Sequence, residues 1–443
     1  MDDDMTLPPV QQLPDDLLQE ILLRLPPRSI ARCLAVCKGW RSAISATSFR
    51  RAHAERPAVV AIVTAMASYC PECDACKLPD RMLYLSDSAN CDAVSFKAPF
   101  RWRDGRNTHL HMPHSSRSPR RLVFPSHSGV LDTLVVGSWD GVLCVQRGVP
   151  LREYVLWNPT AKTCATVSPP PSRGVIIGGY THPSTTRFHL LHASPRSLGP
   201  GLFAPTAFRI HRVGDGGAWR EVPLLLPGGH SLTMHGARSV SLHGNLHWIV
   251  QLRGSAAQRL RVLVFEPAHE RFRLIEAPPP LAGRGEEDLL ARSRVCVMSN
   301  GQLCVVAVCP ATSTMEMWVL DDDYHSDAPR RWRLKERLSL MVMWCMRDPS
   351  TTFTSETQVE VVHGDVEGEE VMVHHNGLVD VYSLRRRRWS STFCVSRSEV
   401  CVVDAALLPY RESVAQPSFG EATRLLQHTV KGEGNCWYYL KSM

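Results

Sequence analysis

Residues 154–167 read YVLWNPTAKTCATV: apolar Tyr154 to Trp157, a polar turn over Asn158-Pro159-Thr160-Ala161-Lys162, and a second β-prone run from Thr163. Aromatic and branched residues on both sides of a Pro-containing turn spell a β-hairpin. The layout recurs as FRIHRVGDGGAWREV (208–222), VLVFEPAHERFRLI (262–275), MWVLDDDYHSDAPRRWRL (317–334) and VDVYSLRRRRWSSTF (379–393). A weaker sixth copy is MLYLSDSANCDAVSF (82–96). The residues opening the second strand are Cys164, Trp219, Phe272, Trp332 and Trp389, with gaps of 55, 53, 60 and 57.

Each hairpin follows two further strands. LDTLVV and GVLCVQ are joined by Gly137-Ser138-Trp139-Asp140-Gly141, and ARSVSL and LHWIVQ by His243-Gly244-Asn245. A four-stranded unit cannot bury both its faces alone, so a period near 50 residues marks sheets stacked around an axis, a kelch-type β-propeller. The span from Val59 to Tyr410 divides into six blades, with seven the alternative count. Val400 to Leu407 is expected to pair with Val59 to Thr64 and close the ring.

The chain before residue 57 has a different period. Leu13 to Ile44 reads LPDDLLQEILLRLPPRSIARCLAVCKGWRSAI. Leu17, Leu18, Ile21, Leu22 and Leu25 recur at helical spacing, and Pro14-Asp15-Asp16 suits a helix start. Pro26-Pro27 stops that helix, and Ser29 is a good N-cap for a second one carrying Ile30, Cys33, Leu34, Cys37, Trp40 and Ile44. Two short helices cannot bury this much apolar surface between themselves, so the stripe needs the rest of the chain or a partner. The plain alternative is a helical hairpin packed on its own domain.

The order Leu-Pro, apolar helix, Leu-Pro-Pro, then Cys-x-x-Val-Cys-Lys-x-Trp-Arg is similar to the F-box consensus over its whole length. The stretch from Gly137 through Leu-Trp-Asn-Pro, with the later Val-Phe-Glu-Pro and Phe-Arg, resembles the F-box-associated domain of a large plant family of F-box proteins, over roughly residues 80–395. The resemblance implies a substrate-recognition subunit of an Skp–cullin–F-box ubiquitin ligase, non-catalytic and without a cofactor. It places Leu13, Pro14, Leu17, Ile21, Leu22, Leu25, Pro26, Ile30, Cys33, Val36, Cys37 and Trp40 on an Skp-family adaptor, which links to a cullin. The expected layout is an acidic flexible leader (1–12), F-box helices with a short joint (13–56), the propeller (57–410) and an unassigned tail (411–443).

Composition fits a soluble globular chain, with 44% hydrophobic and 21% charged residues. A net charge of +7, spread along the length, gives no bulk argument for nucleic acid. Fifteen cysteines fall mostly singly on strands rather than at disulfide-scaffold spacings, which suits a reducing compartment. Met1 precedes three aspartates, unlike a signal peptide, and the apolar run Ala58 to Ala67 is too short to cross a bilayer. The expected location is cytoplasm or nucleus, with no membrane partner.

In an antiparallel blade, loops between strands one and two and strands three and four leave by one end; those between two and three, and from blade to blade, leave by the other. Arg101 to Ser128, Arg147 to Arg152, Ser194 to Pro205 and Ala277 to Ala291 are long and are expected at the second mouth, as the target-binding face. Arg101, Trp102, Arg103, Arg106, His109, His111, Arg117, Arg120, Arg121, Arg147 and Arg152 are the candidate contacts, since arginine forks suit an acidic or phosphorylated target segment. The bland reading is a solvated basic insertion. Arg385 to Arg388 fall in a hairpin turn and read as a solvated turn.

Signs of catalysis are weak. Cys70-x-x-Cys73-x-x-Cys76 with Cys91 lacks a second knuckle or histidine pair for zinc, and no Cys-Pro completes an iron–sulfur run. Ser138 is misplaced for a nucleophile elbow, and there is no phosphate loop, His-Glu-x-x-His or dinucleotide fingerprint. Two other classes stay open: a ligand- or carbohydrate-binding propeller or propeller enzyme with an incidental helical hairpin, and an adaptor-bound scaffold outside the ligase.

Overall fold

The structure is a computed structural model of the chain. It describes residues 14–54 except 26, then 59–67, 82–87, 120–123, 133–147, 153–158, 163–321 with short breaks, 331–340, 358–363, 369–375, 378–394, 403–411, most of 417–430, and 436–439. Four helices open it: α1 (Asp15–Arg24), α2 (Pro27–Cys33), α3 (Lys38–Ser45) and α4 (Thr47–Ala54).

Beyond them the described strands group into six antiparallel runs of four. The first run is assembled from both ends of the fold: β1 (Val59–Ala67), β2 (Met82–Asp87) and β3 (Arg120–Val123) are completed by β25 (Val403–Arg411), in the order β25-β1-β2-β3. Val59 faces Arg411 and Ala67 faces Val403, so the expected closure is present and extends past the stretch read from sequence. The second run is β4 (Thr133–Trp139), β5 (Val142–Arg147), β6 (Glu153–Asn158) and β7 (Thr163–Val167). The third is β8 (Val175–Thr181), β9 (Phe188–Gly199), β10 (Leu202–Arg212) and β11 (Arg220–Val222). In the fourth, the first strand is broken into β12 (Ser231–His235) and β13 (Val240–Leu242), followed by β14 (Asn245–Arg253), β15 (Gln258–Glu266) and β16 (Arg271–Glu276). After short helices α5 (Pro279–Ala282) and α6 (Asp288–Ala291) come β17 (Ser293–Val297), β18 (Leu303–Cys309), β19 (Thr314–Leu320) and β20 (Trp332–Ser339). The last run is β21 (Gln358–His363), β22 (Glu369–His375), β23 (Leu378–Ser383) and β24 (Arg388–Cys394).

First strands of successive runs follow one another in a circle. β25 lies against β4, β4 against β8, β13 against β17, β17 against β21, and β21 against β25. Between β8 and the fourth run the Trp248 indole N–H donates to the Ile177 carbonyl at 3.1 Å. Central strands are largely buried, as β18 shows with all seven residues buried, because both their faces are covered. The outer strand β20, WRLKERLS, is mostly part-exposed and charged, which discourages edge-to-edge pairing.

The aromatic repeat has a physical cause. Trp219 donates its indole N–H to the carbonyl of Ser168 (3.4 Å), Trp332 to Glu276 (2.8 Å) and Trp389 to Ser339 (3.3 Å). Each acceptor lies at or just after the end of the preceding run's outermost strand, so each tryptophan latches one sheet to the one before. Phe272 has no such donor and packs on Phe208 instead, with ring centroids 4.5 Å apart. At the turn between β4 and β5 the half-buried Asp140 carboxylate accepts from the Thr181 backbone N–H at 2.7 Å, and desolvation holds its proton affinity above the usual carboxylate range.

The tail, left unassigned by its sequence, is a strap across the second and third runs. Ser418 donates to the Thr186 carbonyl and accepts from Phe188 N–H, and buried Phe419 meets Phe188 edge-on. Gly214 holds φ at +92°, and a side chain there would strike the Phe419 carbonyl. Further on, β26 (Arg424–Leu425) adds a fifth strand beside β7, and β27 (Gln427–Val430) pairs with β28 (Cys436–Tyr439). Phe419→Ala should cost about 3 kcal/mol or more by emptying this seat; urea unfolding that shows a loss below about 1 kcal/mol would refute the strap's role.

Buried histidines are the other feature of the junctions between runs. His192 lies between Arg209 and the edge of Trp219, His189 stacks on Tyr180 at 5.1 Å, and His247 is fully buried. Burial lowers them from 6.5 to about 4, about 4 and about 3 respectively, and Arg209 adds to the effect at His192. Between pH 6.5 and 4 the unfolded chain takes up protons that the folded chain refuses. The stability from keeping these rings neutral is complete above pH 6.5 and lost as pH falls toward 4, at up to about 1.4 kcal/mol per pH unit for each histidine. His192→Leu should therefore flatten the fall of unfolding free energy between pH 6.5 and 4.5; an unchanged slope contradicts this assignment.

Candidate functional site

Two surfaces present themselves, and the first is the helical cluster. Asp15 and Asp16 sit in the first turn of α1 and Arg24 in its last, each favourable to the helix dipole, and Glu20 pairs with Arg24 one turn on. Proline opens α2, where its missing N–H costs nothing. The expected single second helix is in fact two, because the chain turns over Leu34 to Val36 and restarts at Cys37, whose Sγ accepts from Trp40 N–H at 3.5 Å. The supposed joint after Ala46 is largely α4, which returns Phe49 to the cluster's core and sets His53 Nε2 3.1 Å from the Leu25 carbonyl. Phe49 and His53, four residues apart, were the legible signal for that helix.

Burial divides the expected docking stripe. Leu22, Ile30 and Cys33 point inward, packed with Ile44 and Phe49, so they hold the cluster together rather than face a partner. Leu25 and Trp40 are half-buried at its margin. Leu17 (46% exposed), Ile21 (45%) and Val36 (62%) face outward, with Cys37 and Pro14 also exposed. Leu13 and Pro26 lie outside the described residues. The spacing alone could not separate these sets, since Ile21 and Leu22 sit on adjacent faces of one amphipathic helix.

The second surface is the mouth where the two-to-three and run-to-run connections emerge. Here the strand pairing corrects the sequence reading. The fourth strand of the first run is β3, with Leu85 opposite Arg120 and Tyr84 opposite Arg121, not the stretch near Phe96. Asp87, which ends the third strand, and Arg120, which opens the fourth, lie at the end of the first run where Val60 sits opposite Asp87, the other mouth from the one expected; the residues between them lie outside the described ones. Arg120 and Arg121 lie within β3, and Arg147 ends β5 opposite Thr133. Arg101, Trp102, Arg103, Arg106, His109, His111, Arg117 and Arg152 fall outside the described residues. Val59 and Arg411 are partners at that same end of the first run, so the chain enters β1 and leaves β25 there.

At the other mouth, Ser194 to Pro205 forms no loose loop. β9 and β10 continue past β8, which ends its pairing at Val175 opposite Ala193, and build a hairpin arm. The arm's tip then pairs with β12, Leu202 opposite His235 and Phe203 opposite Met234, on the edge not used by β14. The third and fourth runs become one nine-stranded sheet. At the arm's base Arg209 donates to Ser172 Oγ (2.7 Å) and Ser194 Oγ (2.6 Å), fixing it to the connection from the second run. The expected loop Ala277 to Ala291 carries α5 and α6.

The Arg385 to Arg388 turn is structural in part: Arg387 donates to Glu336 of the preceding run at 2.7 Å, which raises its own already high proton affinity. Cys70, Cys73, Cys76 and Cys91 lie outside the described residues. Among the described residues no three His, Cys, Asp or Glu side chains gather to hold a metal ion, and no helix is long and apolar enough to cross a membrane.

Comparison with known proteins follows this division. Residues 10–51 match the F-box domain, and residues 108–402, well over half of the chain, match the F-box associated beta propeller domain. An F-box/kelch-repeat protein of Arabidopsis thaliana is 30% identical over 156 residues, covering 34% of either chain. A putative F-box/kelch-repeat protein and an F-box protein of the same plant are each 24% identical, over 79% and 71% of this chain and 78% and 73% of their own. Among solved structures, the beta-propeller domain of Myceliophteria thermophila Cps50 (Swd1) aligns at TM-score 0.30 and 9% identity, covering 59% of this chain and 88% of that one. The Penicillium chrysogenum alpha-L-arabinanase aligns at 0.33 and 15%, covering 58% and 80%. With an F-box at the helical cluster and the associated propeller over the strands, the chain belongs to the family of F-box proteins that carry an F-box-associated β-propeller domain.

Proposed function

We propose that this protein is the non-catalytic substrate receptor of an Skp–cullin–F-box ubiquitin ligase, working in the cytoplasm or nucleus. Its helical cluster docks on an Skp-family adaptor, the adaptor joins a cullin, and the propeller mouth away from the cluster's entry holds the target protein. F-box domains generally bind Skp-type adaptors, and one observation carries the reading to this chain. Of the five large apolar side chains exposed among the described residues, three are Leu17, Ile21 and Val36 on this small cluster. Leu17 and Ile21 stand one helical turn apart while Leu22 beside them seals the interior, so the outer stripe is held rigid for a partner groove. Such a receptor needs no reactive group. Holding a target beside a charged conjugating enzyme raises the effective concentration of its lysines.

Leu17→Asp with Ile21→Asp should abolish co-purification of the Skp adaptor while helix content and the unfolding midpoint stay unchanged. Leu22→Asp should also lose the adaptor, but by unfolding the cluster. Retained adaptor binding in the first variant would refute the docking face. Adaptor bound without cullin would instead favour a scaffold outside the ligase.

A further inference from the structure

The two remaining exposed large apolar side chains are Leu198 and Leu225, and both belong to connections at the mouth opposite the cluster's entry. Leu198 rides on the β9–β10 arm, which is anchored at its base by Arg209 and at its tip by β12. Leu225 is 89% exposed between Leu224 and Leu226, which pack on the core. Neither is a frayed end: Leu225 is held outward by neighbours that pack inward, and Leu198 sits on a hairpin paired at its tip to β12. Burying either would release a substantial apolar area, which needs an occupant.

Charge says which occupant. The connections 194–206, 223–239 and 252–260 contain Arg196, Arg238, Arg253 and Arg259 and no aspartate or glutamate. Of the carboxylates bordering these connections whose side chains are described, Glu276 pairs with Arg261 at 2.7 Å and Glu221 faces Arg209 at 3.9 Å; Glu286, Glu287 and Asp288 of the next connection have side chains outside the described residues. Arg196 and Arg259 are exposed and form no ion pair with a described residue. A face with cations around fixed apolar points complements an anionic chain that also carries apolar side chains. That combination fits a peptide; a nucleic acid would call for an aromatic stacking platform, and Leu198 and Leu225 offer none.

We infer that the arm and the third-to-fourth connection form the target-docking surface, with Arg196, Arg259, Leu198 and Leu225 receiving an acidic protein segment punctuated by apolar residues. This rests on the receptor reading above and names its substrate class. The test uses the full chain bound to its adaptor and a labelled dodecapeptide repeating Glu-Leu-Glu-Glu, against a Gln-for-Glu version, a Ser-for-Leu version and an oligouridylate of equal length. The Glu-Leu peptide should bind best, each replacement should weaken it about tenfold or more, and added salt should weaken it further. Arg196→Glu with Arg259→Glu, and separately Leu198→Ser with Leu225→Ser, should each reduce binding about tenfold at an unchanged unfolding midpoint. Absent binding, indifference to these substitutions, or equal affinity for the oligouridylate overturns the inference. Because adaptor co-purification is scored in the same preparations, such a failure is separable from failure of the receptor reading.

Discussion

The architecture hangs on the pairing of β25 with β1. Nine residue pairs, from Val59 with Arg411 to Ala67 with Val403, give the first run its innermost strand from the far end of the ring. Without them β1 would keep an open edge, and β21 and β4 would lose the neighbour that lies between them. The same pairing fixes polarity. The segment from the helical cluster arrives where the tail departs, so one mouth is crowded by the chain itself, while the other carries the arm and the run-to-run connections. In the receptor reading proposed above, this polarity is what separates an adaptor-facing end from a target-facing end.

Between runs, cohesion comes from apolar contact punctuated by a few directed polar bonds. The three tryptophan latches each satisfy a backbone carbonyl at the end of a neighbouring strand, a net gain of about 1 kcal/mol apiece. Larger than the energy is the registry, because an indole N–H can reach only one carbonyl. Neutral histidines, the half-buried Asp140 and Arg209 with its two serines add further fixed points. These groups tie sheets together that hydrophobic packing alone would let slide.

Much of this was legible in the chain. The spacing of Trp219, Trp332 and Trp389 was visible because one physical task, latching to the previous sheet, recurs once per repeat. Closure was legible because β-prone stretches lay at both ends. What escaped was whatever depends on a partner distant in sequence. Phe96 and its neighbours look as strand-like in sequence as Arg120 to Val123, and only the pairing with β2 gives the fourth place to Arg120–Val123. Ile21 and Leu22 read alike until Phe49 returns on an unforeseen helix and covers one of them. Phe419 lies in a stretch with no periodicity, and only the hollow beside Gly214 gives it a place.

The closing strand also sets a timetable. β1 leaves the ribosome long before β25 is made, and at roughly 5 to 20 residues per second the wait is on the order of 20 to 70 s. Throughout it β1 keeps an unsatisfied edge of nine residues, longer than the roughly six or seven that suffice for strand-to-strand association. Birth is thus this protein's most exposed moment. Until the last blade strand arrives to take up its hydrogen bonds, β1 offers an edge to which another strand can add.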